Sequence, residues 1–160
     1  MSTDQLMVKQ GAKITGEASN DQFGYSGSIS ASGDTIVIGA YGANKNTGYV
    51  KVYKNISGTW TQQGATLTGE ATNECFGYSV SISATGDTIV VGAWGANSDT
   101  GYVKVYKNIS GTWTQQGAKI TGEAGSEWFG YSVSISATGD TIVVGASAAN
   151  SYRGYVKVYK

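Results

Sequence analysis

The sequence contains no histidine and only one cysteine, Cys75, among its 160 residues. The lack of imidazole excludes a serine–histidine–aspartate triad and histidine metal sites, and no Gly-x-Ser-x-Gly or phosphate-binding glycine motif occurs. A single cysteine excludes an intramolecular disulfide. A glycosidase-type carboxylate pair stays open, but each acidic loop residue is repeated, whereas such a pair needs an acid and a base that differ. We therefore expect a protein that is not an enzyme and holds no metal or other cofactor.

The chain also has no excess of positive or negative charge. Eleven Lys and Arg residues balance eleven Asp and Glu residues, and the basic residues are spread along the chain. Nucleic acids and anionic lipids need a clustered basic surface, and no apolar run approaches the ~20 residues of a membrane helix. The first residues also lack the apolar run of a signal peptide. We expect neither nucleic acid nor membrane as a partner, and the residues themselves leave the localisation open.

What the chain has in place of these features is an internal repeat. Residues 11–63 recur as 64–116 and, truncated, as 117–160, with a period of 53 residues. Repeats of this length stack on one another and share their cores, so residues 1–160 are predicted to form a single repeat domain. The third copy lacks its final segment, and residues 2–10 are in register with that segment. The third repeat is therefore completed by residues 2–10 or by the same segment of another chain.

Each repeat shows the period-two alternation of β-strands, with glycine- and asparagine-containing turns between the strands. The second copy predicts strands at 76–83, 88–93, 101–107 and 112–121. The first of these has bulky Phe, Tyr, Val and Ile on one face and Gly and Ser on the other. Sheets with one bulky and one small face nest radially, which predicts an all-β fold, a β-propeller of four-stranded antiparallel blades with three blades per chain.

A Phe-Gly pair followed by an apolar residue, Gly and Ala occurs once in each copy. The three instances are Phe23-Gly24 with Ile38-Gly39-Ala40, Phe76-Gly77 with Val91-Gly92-Ala93, and Phe129-Gly130 with Val144-Gly145-Ala146. The pattern resembles the FG-GAP repeat of integrin α-subunit propellers, and the flanking strands are similar to the subgroup common in bacterial surface proteins. The resemblance implies a propeller, a ligand-binding face formed by the 2-3 and 4-1 loops, and an extracellular or cell-surface origin.

The chain departs from that family in the loop between strands 1 and 2. Many FG-GAP repeats carry a calcium loop of the type Asp-x-Asp-x-Asp-Gly there, whereas this loop has one carboxylate per copy, from Asp34, Asp87 or Asp140. Calcium takes six to eight oxygen ligands, usually including several carboxylates. These aspartates are therefore interpreted as turn residues.

The expected number of blades indicates which partner the chain binds. Propellers have ~4 to 8 blades, so three cannot close comfortably, and a homodimer would form six blades by exchanging N-terminal strands. A trimer with nine blades is the alternative, and a monomeric fragment would expose two unpaired edges. We expect the chain to bind another copy of itself. An excised or engineered propeller segment with a purely structural role also fits the near-identical repeats.

The 2-3 and 4-1 loops differ among the copies, whereas the loops at the other end of the strands hardly change. Loop drift explains this difference, but a ligand surface also explains it, because both divergent loops share one face. Aromatic rings beside amides and carboxylates suit a glycan or a protein ligand, although repeated asparagines also support left-handed turns. The candidate ligand-binding residues are Asp21, Tyr41, Asn44, Glu74, Trp94, Asn97, Glu127, Trp128, Asn150, Tyr152 and Arg153.

Overall fold

The computed structural model describes residues 7–160, and β-strands dominate this part of the chain. The strands are β1 Ser26–Ile29, β2 Thr35–Ala40, β3 Tyr49–Ile56, β4 Thr59–Gln62, β5 Leu67–Thr68, β6 Ser79–Ile82, β7 Thr88–Ala93, β8 Tyr102–Ile109, β9 Thr112–Gln115, β10 Ile120–Thr121, β11 Phe129–Ile135, β12 Ile142–Ala146 and β13 Tyr155–Tyr159. Three four-residue helical turns lie at Ala43–Asn46, Ala96–Asp99 and Ala149–Tyr152. The expected all-β class is confirmed.

The strands form three antiparallel sheets, named here sheet 1 (β1–β5), sheet 2 (β6–β10) and sheet 3 (β11–β13). Each sheet is formed mainly by one repeat, and the short strands β5 and β10 come from the start of the following repeat. The strands follow one another as a meander, and β4 and β5 pair with opposite ends of β3. The continuous fourth strand expected at 112–121 is therefore split into β9 and β10. Gly117 lies between them with a φ of +68°, which interrupts the extended backbone.

Apolar cores lie between consecutive sheets. Val50 and Val52 of sheet 1 share a buried cluster with Phe76 and Ile82 of sheet 2, and Val103 of sheet 2 packs in a second cluster that contains residues of sheet 3. The sheets come close because glycine faces glycine. A Cβ added at Gly39 would collide with the carbonyl oxygen of Gly77, and a Cβ at Gly92 would collide with that of Gly130. Each sheet thus packs its Phe-Gly side against the face of the preceding sheet that carries Gly39 or Gly92.

The two outer faces of the stack lack such a neighbour among the described residues. Ile29 on sheet 1 is 57% exposed, whereas its equivalent on sheet 2, Ile82, is 6% exposed. At the other end, Val156 on sheet 3 is 67% exposed, whereas its equivalents Val50 and Val103 are fully buried. The chain therefore ends on two different apolar faces, each of which is buried where it recurs inside the stack.

The N-terminal segment lies against sheet 1. The indole nitrogen of Trp60 donates to the carbonyl oxygen of Gln10 at 3.0 Å, and the indole of Trp113 donates in the same way to Gln63 at 3.0 Å. Sheet 3 has no fourth strand from residues 7–15. Residues 7–10 thus do not pair with sheet 3 of their own chain, and residues 2–6 lie outside the described part. Completion of the third repeat by residues 2–10 or by the same segment of another chain stays a prediction. The segment sits where the end of a preceding sheet would sit.

None of the helical turns in residues 7–160 is long and apolar enough to cross a membrane.

Candidate ligand surface

The divergent loops of all three repeats meet on one side of the molecule, at the ends of the strands. We call this surface the loop face and define it by residues 18–22, 41–47, 71–75, 94–100, 124–128 and 147–153. Backbone hydrogen bonds join loops of successive repeats: the Asn73 and Cys75 amides donate to Lys45 and Asn46 at 3.0 and 2.8 Å. Gly42 donates to Asp21 within the first repeat at 3.2 Å. The loop face is therefore one hydrogen-bonded surface and not a set of separate turns.

The three repeated asparagines shape the turns of this surface. Asn44, Asn97 and Asn150 have φ values of 47°, 50° and 53°, and the residue after each is also left-handed. Asparagine tolerates this conformation better than most residues. The threonine hydroxyls of Thr47 and Thr100 close the turns by donating to the carbonyl oxygens of Asn44 and Asn97. The left-handed turns thus give a structural reason for an asparagine at these positions. The three side chains are also exposed on the loop face, where a ligand could contact them.

The three acidic candidates are hydrogen-bonded within the protein, and their role in ligand binding stays a prediction; Glu127 also lines the cleft described below. Asp21 and Glu74 are 6% and 8% exposed. Glu74 accepts a hydrogen bond from the Glu70 amide at 2.7 Å and one from the Tyr102 hydroxyl at 2.9 Å. Asp21 and Glu127 repeat this arrangement with tyrosines of β3 and β13. These carboxylates brace the loops against strand 3 because burial requires that their oxygens be hydrogen-bonded.

The same contacts shift tyrosine ionisation. Burial, together with the Asp21 carboxylate, raises the pKa of Tyr49 to about 12. Burial and the neighbouring Glu74 also raise the pKa of Tyr102. Each of these phenols is held in its neutral form and donates to a carboxylate.

The aromatic candidates form one connected cluster. Trp94 contacts Trp128, with ring centroids 5.1 Å apart, and Trp128 meets Tyr152 edge-on at 5.9 Å. Tyr41 reaches the cluster through Tyr78, at 5.1 Å. The indole nitrogen of Trp94 is buried without a hydrogen-bond partner in residues 7–160; its ring packs among other aromatic rings.

The cluster includes three tyrosines that the sequence analysis did not select. Tyr25, Tyr78 and Tyr131 occupy the same place in the three repeats, and their hydroxyls form a chain in which Tyr25 donates to Tyr78 and Tyr78 to Tyr131, each at 2.9 Å. Their repetition directly after each Phe-Gly pair was the available signal. The row of hydroxyls links the three sheets below the loop face.

A cleft of about 570 Å³ opens between the last two repeats. It is lined by Asp99, residues 124–128 and residues 148–152, including Trp128 and Tyr152. Tyr152 is 73% exposed, and the neighbouring Arg153 is exposed as well. Ligand clefts typically measure about 300 to 1,000 Å³, so the space suits a small ligand held by an aromatic edge.

In the turn between β1 and β2, the Asp34 carboxylate accepts hydrogen bonds from side chains of the same turn. Three hydroxyls, from Ser30, Ser32 and Thr35, donate to one oxygen of Asp34 at 2.7 to 3.2 Å. The Ser32 and Thr35 hydrogen bonds lower the pKa of Asp34. The turns at Asp87 and Asp140 repeat this network. Across residues 7–160, no group of three or more acidic or cysteine side chains is placed to hold a metal ion.

Comparison with known proteins identifies the repeat. The FG-GAP repeat family matches residues 9–53, 60–106 and 113–159. A search of curated proteins finds no match. Among solved structures, a chain of the hydrazine synthase of Kuenenia stuttgartiensis is similar, with a TM-score of 0.53 and 14% sequence identity. That similarity covers 89% of this chain and 33% of the other, so this chain spans a third of the length of its structural relative, and at this identity the likeness concerns the fold alone.

Proposed function

Starting from the fact that the chain belongs to the FG-GAP repeat family, we propose that it is a non-catalytic β-propeller module. In this proposal two copies assemble into a ring of six blades, and the loop face binds a ligand. An extracellular or cell-surface setting, which the family resemblance implies, belongs to the same proposal.

The observation that supports the assembly is that the two outer faces are equivalent to faces that pack together inside the stack. Inside the stack, a Cβ at Gly77 would lie 2.9 Å from a methyl of Val50 and 3.3 Å from the Cα of Gly39. At the outer faces, a Cβ at Gly24 would meet no described atom within 4 Å, and Val156, the equivalent of Val50, is largely exposed. The face of Gly24 on one copy therefore matches the face of Val156 on another.

In a dimer, both outer apolar faces of each copy would be covered. In a ring with two-fold symmetry, each copy presents its first sheet to the third sheet of the other, so neither outer apolar face remains open and only the short edges usual in propellers are left. Six blades fall within the usual range of ~4 to 8, whereas the nine blades of a trimer exceed it.

The aromatic cluster supports a ligand on the loop face. Tyr152 and Trp128 line the cleft with an exposed ring and an edge-on neighbour, and the asparagines beside them offer amide donors and acceptors. Sugars present apolar C–H faces together with hydroxyls, so a lectin-like role is the first choice of ligand. A protein ligand is the second, because exposed tyrosine and tryptophan are common at interface hot spots.

A non-catalytic role agrees with the state of the acids. Asp21, Glu74 and Glu127 are hydrogen-bonded within the fold in the same way in each repeat, which provides no acid and base of different character. Hydrazine synthase is an enzyme, but the likeness to it concerns the fold and brings no active site to this chain.

Solution mass tests the assembly, and a glycan array tests the ligand. Light scattering should give twice the chain mass of 16.6 kDa; a monomer at micromolar concentration would refute the proposal, and a trimer would replace it with nine blades. Glycan binding should be lost in Tyr152→Ala and kept in Ile109→Ala, which removes a 52% exposed side chain at the other end of the strands. No binding to glycans or proteins by the assembled ring would favour a purely structural role.

A further inference from the structure

A glutamate that follows Thr-Gly near the start of each repeat binds a lysine on the third strand of the same repeat. Glu17 pairs with Lys51 at 2.6 Å and Glu70 with Lys104 at 2.6 Å, and Glu123 pairs with Lys157. The sequence analysis did not select these glutamates. Their regular pairing shows that each sheet places a cation over the start of its own repeat.

Sheet 2 adds a second lysine to this pair. Lys119 binds the other carboxylate oxygen of Glu70 at 2.6 Å and lies 4.9 Å above the centre of the Tyr102 ring. Both oxygens of Glu70 are thus occupied, and its side chain is 46% exposed, whereas that of Glu123 is 66% exposed. Hydrogen bonds from Lys104 and Lys119 lower the pKa of Glu70 to about 2. Glu123 pairs with Lys157, the equivalent of Lys104. Among residues 7–160, no lysine pairs with Glu123 in the way that Lys119 pairs with Glu70.

The N-terminal segment carries the missing lysine in the matching sequence. Residues 11–17 read Gly-Ala-Lys-Ile-Thr-Gly-Glu and are identical to residues 117–123, whereas residues 64–70 have Thr66 in place of the lysine. Lys13 is thus the counterpart of Lys119, and it is exposed in the single chain.

The backbone around Lys13 has an unused pairing partner of known register. In sheet 2, Ile120 and Thr121 pair with Val103 and Tyr102 of β8. The equivalents of these two β8 residues on β13 are Val156 and Tyr155, whose edge carries no fourth strand from residues 7–15. Residues 14–15 match that edge in register, and the segment is already seated on its own sheet 1 through Gln10. Lys13 precedes these two residues directly, as Lys119 precedes Ile120 and Thr121.

We propose that Lys13 of one copy binds Glu123 of a second copy and completes there the Lys–Glu–Lys cluster seen around Glu70. This inference rests on the two-copy assembly proposed above and adds the polar contact that specifies which strand closes the third sheet. Lys157 and the ring of Tyr155 already occupy the positions of Lys104 and Tyr102. A charged pair selects its partner mainly by rejecting like charges.

The test is sedimentation of Lys13→Thr against Lys9→Thr as a matched control. Both variants remove one positive charge from the same exposed segment, and Lys13→Thr reproduces Thr66, the residue that the second repeat already has at this position. With two symmetric contacts and about fivefold for each, Lys13→Thr should raise the dimer dissociation constant about 25-fold. Lys9→Thr should leave it within about twofold, because its counterparts Gln62 and Gln115 contact no glutamate.

Charge reversal separates this inference from the assembly itself. Lys13→Glu should weaken the dimer by more than about 100-fold. Adding Glu123→Lys and Lys157→Glu together, which reverses the whole cluster and keeps the pair between residues 123 and 157, should restore it to within about tenfold of the wild type. A wild-type dimer in which Lys13→Thr behaves like Lys9→Thr, or in which this triple reversal fails to recover, overturns the ion pair and leaves the ring intact. A monomeric wild type overturns the assembly.

Discussion

A substitution at Val156 provides the most direct test of the ring, because it should affect the contact between copies without affecting the folding of the single chain. It is 67% exposed in the single chain, and its equivalents Val50 and Val103 are completely buried between sheets. The substitution Val156→Asp should therefore leave the folded chain intact while it places a carboxylate in the contact between copies. Val103→Asp, in contrast, should unfold the chain.

The expected loss follows from the buried area. Full burial of a valine contributes about 1.5 to 3 kcal/mol, so covering the exposed two thirds of Val156 is worth about 1 to 2 kcal/mol. A two-fold dimer contains this contact twice, which gives about 2 to 4 kcal/mol, or about 30- to 1,000-fold in the dissociation constant. Burying an unpaired carboxylate adds a further cost, so the upper end of this range is expected.

Analytical ultracentrifugation over a range of concentrations measures the change, and circular dichroism checks that the monomer is folded. Ile109→Asp is the control, since Ile109 is 52% exposed and lies in the hairpin between β8 and β9, away from the outer faces. If Val156→Asp sediments as a dimer with unchanged affinity, the face of Val156 is not the contact between copies.

Other perturbations test other parts of the molecule. Removal of residues 1–15 should cause aggregation or irregular oligomers, because the edge of β13 then stays open; a soluble particle of unchanged stoichiometry, measured by light scattering, would contradict the closing strand. EDTA should leave the melting temperature unchanged, since serine and threonine hydroxyls occupy Asp34; a drop of several degrees that calcium reverses would reveal a site. Because the pKa of Glu70 is lowered to about 2, its stabilising effect should be complete above about pH 4.5 and be lost toward pH 2, which acid titration of wild type against Glu70→Gln measures. Because the pKa of Tyr49 is raised to about 12, its contribution should be complete below pH 10 and be lost as the pH rises through 12, and Tyr49→Phe should lessen that alkaline loss.

The repeat and its strands could be predicted from the sequence because each depends on local patterns. The Phe-Gly pairs, the period-two alternation and the 53-residue spacing indicate three similar sheets, and these sheets are present. The split of the fourth strand was missed because it depends on the left-handed backbone at Gly117, where the surrounding alternation suggests continuous extension.

The candidate site was harder to predict because its chemistry depends on partners far away in sequence. Asp21 looks like an exposed loop acid until the Tyr49 hydroxyl, 28 residues later, is seen to bind it. The ion pair between Glu70 and Lys104 likewise joins residues 34 apart. Sequence position placed Asp21, Glu74 and Glu127 on the correct loops, but only the packing of the third strands shows that their carboxylates accept hydrogen bonds from tyrosine hydroxyls.

The row of tyrosine hydroxyls has a direction, since each donates to the tyrosine one repeat further along. Within residues 7–160 this row begins at Tyr25, whose hydroxyl accepts from no other tyrosine, and ends at Tyr131, whose hydroxyl donates to none. In a closed six-bladed ring the line becomes a circuit without a first member, in which each hydroxyl polarises the next. Replacing Tyr25, Tyr78 or Tyr131 by phenylalanine would then open the same circuit at two opposite points, so the three variants should lose equal stability although one of them lies in the middle of the chain.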